Sequence, residues 1–265
     1  MNRFKKVYCR GFQTVFKLAL PFLPYRQPEV LQSLSEIPAL FEKRKIHSVM
    51  LVTDRDIRKL GLTKGLEAAL QQRKIACCVY DETVPNTKID NVEAARQAII
   101  AFGGGSSMDC AKAAGARIVK PGQSVGQMKG LLHVHRRLPL LVAVPTTAGT
   151  GSETTLAAVI TDSQTHHKYP INDFSLIPHV AVLDYTVTLG LPKQITATTG
   201  MDALTHAVEA YIGRSTTKLT RAMAEESVTL IAKYLLRAYR DGQDAEARTQ
   251  MLQAAYDAGI AFTRS

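Results

Sequence analysis

Ala98-Ile99-Ile100-Ala101-Phe102-Gly103-Gly104-Gly105-Ser106-Ser107-Met108-Asp109-Cys110-Ala111-Lys112 runs from an unbroken apolar segment through three glycines into a helical pattern. A short continuous apolar run suits a strand buried on both faces, as in a parallel sheet. Three glycines let the backbone turn and come close to a ligand, while a helix start at Ser106 leaves unpaired N–H groups and a partial positive charge facing the turn. That combination reads as a pyrophosphate cradle. It also has a plainer reading, in which Ser106 caps the helix and Asp109 completes a Ser-x-x-Asp capping box; Asp109 suits both readings and is expected among the cofactor-binding residues.

Outward from this segment, short β-branched runs alternate with helical periods, the pattern of a mostly parallel sheet with helices on its faces. Strands are expected over Ser48–Thr53, Ala76–Tyr80, Ala98–Phe102, Leu140–Pro145, Leu156–Thr161 and His179–Asp184. Helices are expected over Ile37–Lys45, Thr63–Arg73, Asn91–Gln97 and Ser106–Val119, and an amphipathic helix over Tyr8–Leu20. After Leu191-Pro192 only helical periods remain: Thr199–Ile212, Lys218–Arg240 and Ala245–Phe262. The expected fold is therefore α/β, a Rossmann-like domain over residues 1–195 followed by an all-α domain over 196–265.

A second loop, Pro145-Thr146-Thr147-Ala148-Gly149-Thr150-Gly151-Ser152-Glu153, also follows an apolar strand and offers hydroxyl and amide donors without added charge. Two such loops at the carboxyl ends of parallel strands face one crevice. Asp54, after the strand Ser48–Thr53, suits either the hydroxyls of an adenosine ribose, which favours NAD over NADP, or the N-cap of the next turn. Asp202 and His206 are four residues apart on a helical pattern, so both can reach one divalent ion. Thr199 with Asp202 equally spells a Thr-x-x-Asp capping box, and His206 could be a hydrogen-bonded core histidine.

The 265 residues carry a formal charge of +10, yet Lys and Arg are spread along the chain without interleaved aromatics, which argues against nucleic acid and for an anionic small molecule. The apolar run Val15–Leu23 is too short to span a bilayer. Four cysteines without C-x-x-C spacing suit reduced thiols and a cytoplasmic setting.

The runs Gly103–Lys112, Pro145–Glu153 and Thr199-Gly-Met-Asp-Ala-Leu-Thr-His-Ala-Val-Glu-Ala-Tyr211 together resemble the iron-containing alcohol dehydrogenase family. The resemblance implies a dehydroquinate synthase-like architecture, with NAD and a divalent metal, iron or zinc, in a cleft between the two domains. It assigns Asp54 to the ribose and Gly104, Gly105 and Ser106 to the pyrophosphate. Thr146, Thr147, Gly149 and Ser152 fall to adjoining parts of the dinucleotide, Asn86 and Lys168 to further cofactor contacts, and Asp202 and His206 to the metal. The implied reaction interconverts a primary alcohol and its aldehyde by hydride transfer, in a homo-oligomer with a small-molecule substrate. Two further histidine ligands of the family would follow a segment like Gly259–Thr263, so the expectation is a truncated helical domain, weakened metal binding and little turnover. The rival expectation is a non-catalytic dinucleotide-binding or oligomer-forming subunit.

Overall fold

The computed structural model describes residues 10–11, 14–15, 18–82, 96–161 and 167–265. Its main sheet has six strands, all parallel: β1 (Glu29–Leu31), β2 (Ser48–Val52), β3 (Ala76–Tyr80), β4 (Ala98–Gly103), β6 (Leu140–Pro145) and β9 (Val180–Val182), in the order β1-β9-β6-β4-β2-β3. The central strand β4 is buried at all six positions, as its unbroken apolar run requires. Alternate residues feed two cores. Val49, Leu51, Ile100 and Phe102 pack under helices α1 (Glu36–Lys43) and α3 (Lys64–Gln72), while Met50, Val52, Ile99 and Ala101 pack under α4 (Gly105–Val119). A short helix, α2 (Arg55–Lys59), follows β2.

Three helices complete the described chain: α5 (Lys193–Ile212), α6 (Lys218–Arg240) and α7 (Ala245–Thr263). They share a core of small side chains, among them Ala203, Ala207, Ala254, Ala255 and Ala258, with Ile231, Tyr234 and Met251. On the other side of α7, Leu252, Tyr256 and Ile260 bury against Ala181 and Leu183 at the end of β9, so the helical layer sits on the sheet.

Several expectations need correction. Leu156–Thr161 does not join the main sheet: β7 (Ala157–Thr161) pairs antiparallel with β8 (Lys168–Asn172) in a separate three-stranded sheet that also holds β5 (Gly130–Leu131). The reason is one-sided burial, because Val159 is exposed between buried Ala158 and Ile160, and a strand inside the main sheet would bury both faces. The strands β1 and β8 are not evident in the sequence, the first for its brevity and the second because Pro170 breaks the strand signal. Helix α5 starts six residues before the expected Thr199. Of the expected helix Asn91–Gln97 only Arg96 and Gln97 are described, and there they form a turn. The described residues of Tyr8–Leu20 are helical as far as Ala19. No helix among the described residues is long and apolar enough to cross a membrane.

Candidate functional site

The strand order places the carboxyl ends of β2, β4 and β6 side by side. The chain runs from β2 outward to β3 and then back across to β4, so the crevice between β2 and β4 is a topological switch point, the usual ligand position in open α/β sheets. Asp54 stands on one side of it and the glycine turn on the other.

Helix α4 begins after Gly104, and no side chain caps it. Its first N–H groups are therefore open, and the helix dipole favours an anion there. The capping box of Ser106 and Asp109 does not form, because the N-cap falls two residues before Ser106. Gly103 has φ of +150°, and a Cβ there would stand 2.4 Å from Ser107 Oγ and 3.3 Å from Asp54 Oδ2, so only glycine fits. Asp54 is the N-cap of α2, its Oδ1 accepting from the N–H groups of Asp56 at 3.1 Å and Ile57 at 2.9 Å. Its other oxygen, Oδ2, accepts from Ser107 Oγ at 3.1 Å, which ties the tip of β2 to the cradle helix.

The second loop lies across this cradle. A Cβ on Gly104 would meet Thr147 Oγ1 at 3.6 Å, and one on Gly105 would meet Thr150 Cγ2 at 3.1 Å. Thr146 is buried and its N–H donates to the Gly103 carbonyl at 3.0 Å. Gly149 faces the other way: a Cβ there would come within 2.6 Å of Thr199 Cβ and 2.8 Å of the Thr199 carbonyl on α5. Glycine at 149 thus lets the loop touch the helix that carries Asp202 and His206.

Asp109 and Ser152 are joined in a buried network. Ser152 Oγ donates to Asp109 Oδ1 at 3.0 Å, and Asp109 Oδ2 accepts the Val159 N–H at 3.1 Å. Lys112 Nζ donates to Ser152 Oγ at 3.0 Å, Thr155 O at 3.0 Å, Thr155 Oγ1 at 3.1 Å and Ala157 O at 2.8 Å. Burial pushes Lys112 down to about 8 and Glu153 up to about 7, and it raises Asp109, while the opposite charges resist each shift. Sequence reasoning gave Lys112 and Glu153 no part. A signal was present, since Lys112 lies among small residues, Cys110-Ala111-Lys112-Ala113-Ala114-Gly115-Ala116, that mark a close-packed helix face.

Lys168 is exposed at the start of β8, opposite Thr161 and at the far end of the β7–β8 ladder from Ala157, which pairs with Asn172. Asn86 lies outside the described residues.

Asp202 and His206 project from the middle of α5, with Asp202 Oδ1 3.9 Å from His206 Nε2. The Thr199–Asp202 capping box does not form, because α5 starts at Lys193 and Thr199 Oγ1 instead donates to the Ile195 carbonyl at 2.8 Å. The His206 ring stacks on Phe262 of α7, centroids 4.6 Å apart and tilted by 30°. Donors 3.9 Å apart can both reach one ion, since carboxylate and imidazole bonds to zinc-like ions are about 2.0–2.2 Å. These two residues fit a divalent metal as far as they go, although among the described residues no group of three or more His, Cys, Asp or Glu side chains could hold one. Two buried side-chain atoms lack a hydrogen-bond partner among the described residues, Thr53 Oγ1 beside the cradle and His206 Nδ1 on α5. One stands at each half of the candidate site.

Comparison with known proteins identifies the family. A family model described as iron-containing alcohol dehydrogenase matches residues 30–185, and the model for the family's C-terminal region matches 196–265. Alcohol dehydrogenase 4 of Saccharomyces cerevisiae is 36% identical over 241 residues, an alignment covering 88% of this chain and 63% of that protein. The NAD-dependent methanol dehydrogenase of Bacillus methanolicus is 35% identical, with 87% of this chain and 62% of that protein covered. Among solved structures, 1,3-propanediol oxidoreductase superposes with a TM-score of 0.83 at 34% identity, covering 90% of this chain and 65% of that one. The chain thus spans a little under two thirds of the length of these relatives. Matched by family models on both sides of the β9–α5 junction, it belongs to the iron-containing alcohol dehydrogenase family.

Proposed function

We propose that this chain carries the dinucleotide crevice and part of the metal site of an NAD-dependent alcohol dehydrogenase that interconverts a primary alcohol and its aldehyde. The supporting observation is the second loop, which touches the glycine cradle through Thr147 and Thr150 and touches α5 through Gly149, one turn before Asp202. A cofactor on the cradle and an ion on Asp202 and His206 would then be neighbours.

In this reading residues 1–195 bind the dinucleotide and 196–265 contribute to the metal and substrate side. The open end of α4 at Gly104, Gly105 and Ser106 takes the pyrophosphate. Asp54 accepts the ribose hydroxyls and repels a 2′-phosphate, which selects NAD over NADP. Thr147, on the cradle side of the loop, lines the adjoining part of the dinucleotide, while Thr146 and Gly149 are assigned there on family resemblance alone. Asp109 and Lys112 hold Ser152 in place from behind. Asn86 and Lys168 are assigned on family resemblance alone. Asp202 and His206 would hold a divalent ion, iron or zinc, which acts as a Lewis acid toward an alcohol or carbonyl oxygen. The proposed setting is a cytoplasmic homo-oligomer.

A second reading, a dinucleotide-binding subunit without turnover, is favoured by the presence of only two metal donors among the described residues. Calorimetric titration with NADH and NADPH, followed by metal analysis and an alcohol-dependent NADH assay in ferrous or zinc buffer, tests both readings. NADH binding with weak or absent metal and no turnover supports the second. Stoichiometric metal lost in His206→Ala, with turnover lost alongside it, supports the first. No heat with NADH on folded protein removes both.

A further inference from the structure

The opposite end of the main sheet gathers basic side chains around one carboxylate. Arg137 precedes β6, His179 precedes β9 and Glu29 opens β1, and these three strands are parallel neighbours, so all three residues lie at the amino-terminal edge. The glycine loops leave the other edge, about 20 Å away at 3.3 Å per residue along a six-residue strand.

The His179 ring is locked, because its Nδ1 accepts the Leu141 N–H at 3.1 Å. The ring proton must then sit on Nε2, which points away from the backbone as a donor. Burial, helped by the guanidiniums of Arg26, Arg137 and Arg44, holds the imidazole down at about 3, so it remains neutral. Arg26 is half-buried beside it, donating Nε to the Pro178 carbonyl at 3.3 Å and Nη2 to the Ile177 carbonyl. Its Nη1 group has no partner among the described residues. Burial and the nearby Arg137 both lower the Arg26 pKa. Arg137 is exposed and likewise has no hydrogen-bond or ion-pair partner among the described residues. Glu29, whose N–H donates to the His179 carbonyl at 3.0 Å, is taken up by Arg44 at 2.6 Å.

We propose that His179, Arg26 and Arg137 form a binding site for a small phosphate-class oxyanion at the amino-terminal edge of the sheet, separate from the dinucleotide crevice. An imidazole fixed as a donor and two guanidiniums offer N–H groups only, and a tetrahedral dianion offers acceptors only. Guanidiniums suit such an ion because their N–H groups diverge in a rigid plane that can pair with two oxygens. The ion would also relieve the repulsion between Arg26 and Arg137, since the carboxylate described at this edge, Glu29, is taken up by Arg44. The site depends on neither NAD binding nor turnover.

The test compares thermal unfolding in sodium phosphate, sodium acetate and sodium chloride at matched ionic strength, for the unsubstituted chain, Arg137→Gln and the control Lys129→Gln. At ten times the dissociation constant, phosphate should raise the midpoint by about 2–4 °C over chloride. Arg137→Gln should lose that increment and Lys129→Gln should keep it. Because the phosphate cradle is intact in Arg137→Gln, binding there cannot account for the difference. A direct reading comes from the His179 imidazole Nε2 resonance, which should shift and saturate on titration with phosphate. An equal increment with phenyl phosphate assigns the site to phosphate esters, whereas an increment with inorganic phosphate alone assigns it to the free ion. A full phosphate increment in Arg137→Gln, an unmoved His179 resonance, or acetate matching phosphate would overturn the proposal.

Discussion

Asp54 and Asp202 were each open to a capping role and a ligand role, and the surrounding residues separate the two cases. Asp54 does cap α2, yet its second oxygen reaches Ser107 in the cradle helix, so capping and a place beside the crevice coexist. Asp202 caps nothing, because α5 passes it by nine residues on its amino side. Another carboxylate at this scale is Asp257 on α7, held by Gln253 Nε2 at 3.1 Å to each oxygen. Burial, and to a lesser degree Glu226, pushes it from 3.8 up to about 6, so the folded chain holds this proton more tightly than the unfolded chain does. Its charge therefore disfavours folding above about pH 6, and the penalty fades as pH falls toward 3.8. Asp257→Asn should stabilise by about 1–2 kcal/mol at pH 7.5 and by almost nothing near pH 4, read from urea midpoints at the two values. An equal effect at both pH values would show that the charge is not responsible.

At the scale of elements, α4 does two jobs. Its first turn faces the glycine loop, and one and two turns later Asp109 and Lys112 fasten the second loop and the start of β7 to it. Lys112→Met would leave Asp109 and Glu153 buried without their cation and strip the donor from two backbone carbonyls. A loss of about 3–5 kcal/mol is expected, measured by urea unfolding. A loss under about 1 kcal/mol would mean that the loop holds its place without the lysine. Helix α5 starts earlier than its residues predict, at Lys193. Gly200 and the threonines before it are weak helix formers, so the propensity signal begins late. In the fold a Cβ on Gly200 would stand 2.3 Å from Leu235 Cδ1, so glycine there lets the Leu235 side chain of α6 lie close against α5.

For the whole molecule, the decisive contact is between the helical layer and the sheet. Leu252, Tyr256 and Ile260 of α7 pack on Ala181 and Leu183, and the Tyr256 hydroxyl donates to the Pro28 carbonyl at 3.2 Å across the start of β1. With Gly149 against α5 and Gly151 against Gly259 of α7, this seam is continuous enough that the described chain should unfold as one unit. Leu252→Ala, at a fully buried site, should cost about 2–4 kcal/mol. Far-ultraviolet circular dichroism and tyrosine fluorescence should still report coincident transitions. Separate transitions would show that the helices and the sheet are independent domains.

The amino-acid sequence by itself determined the parallel sheet core, the glycine turn from β4 into α4 and the closeness of Asp202 and His206, because each follows from spacing along a single element. Strand period, glycine content and the four-residue helical repeat are local properties that survive any tertiary context. Only the tertiary structure decided that Leu156–Thr161 leaves the main sheet, that Asp109 and Ser152 are tied to a buried Lys112, and that Gly149 serves contact with α5. Those outcomes depend on which surfaces meet after folding. Burial and close approach between elements far apart in the chain leave only faint traces in the order of the residues.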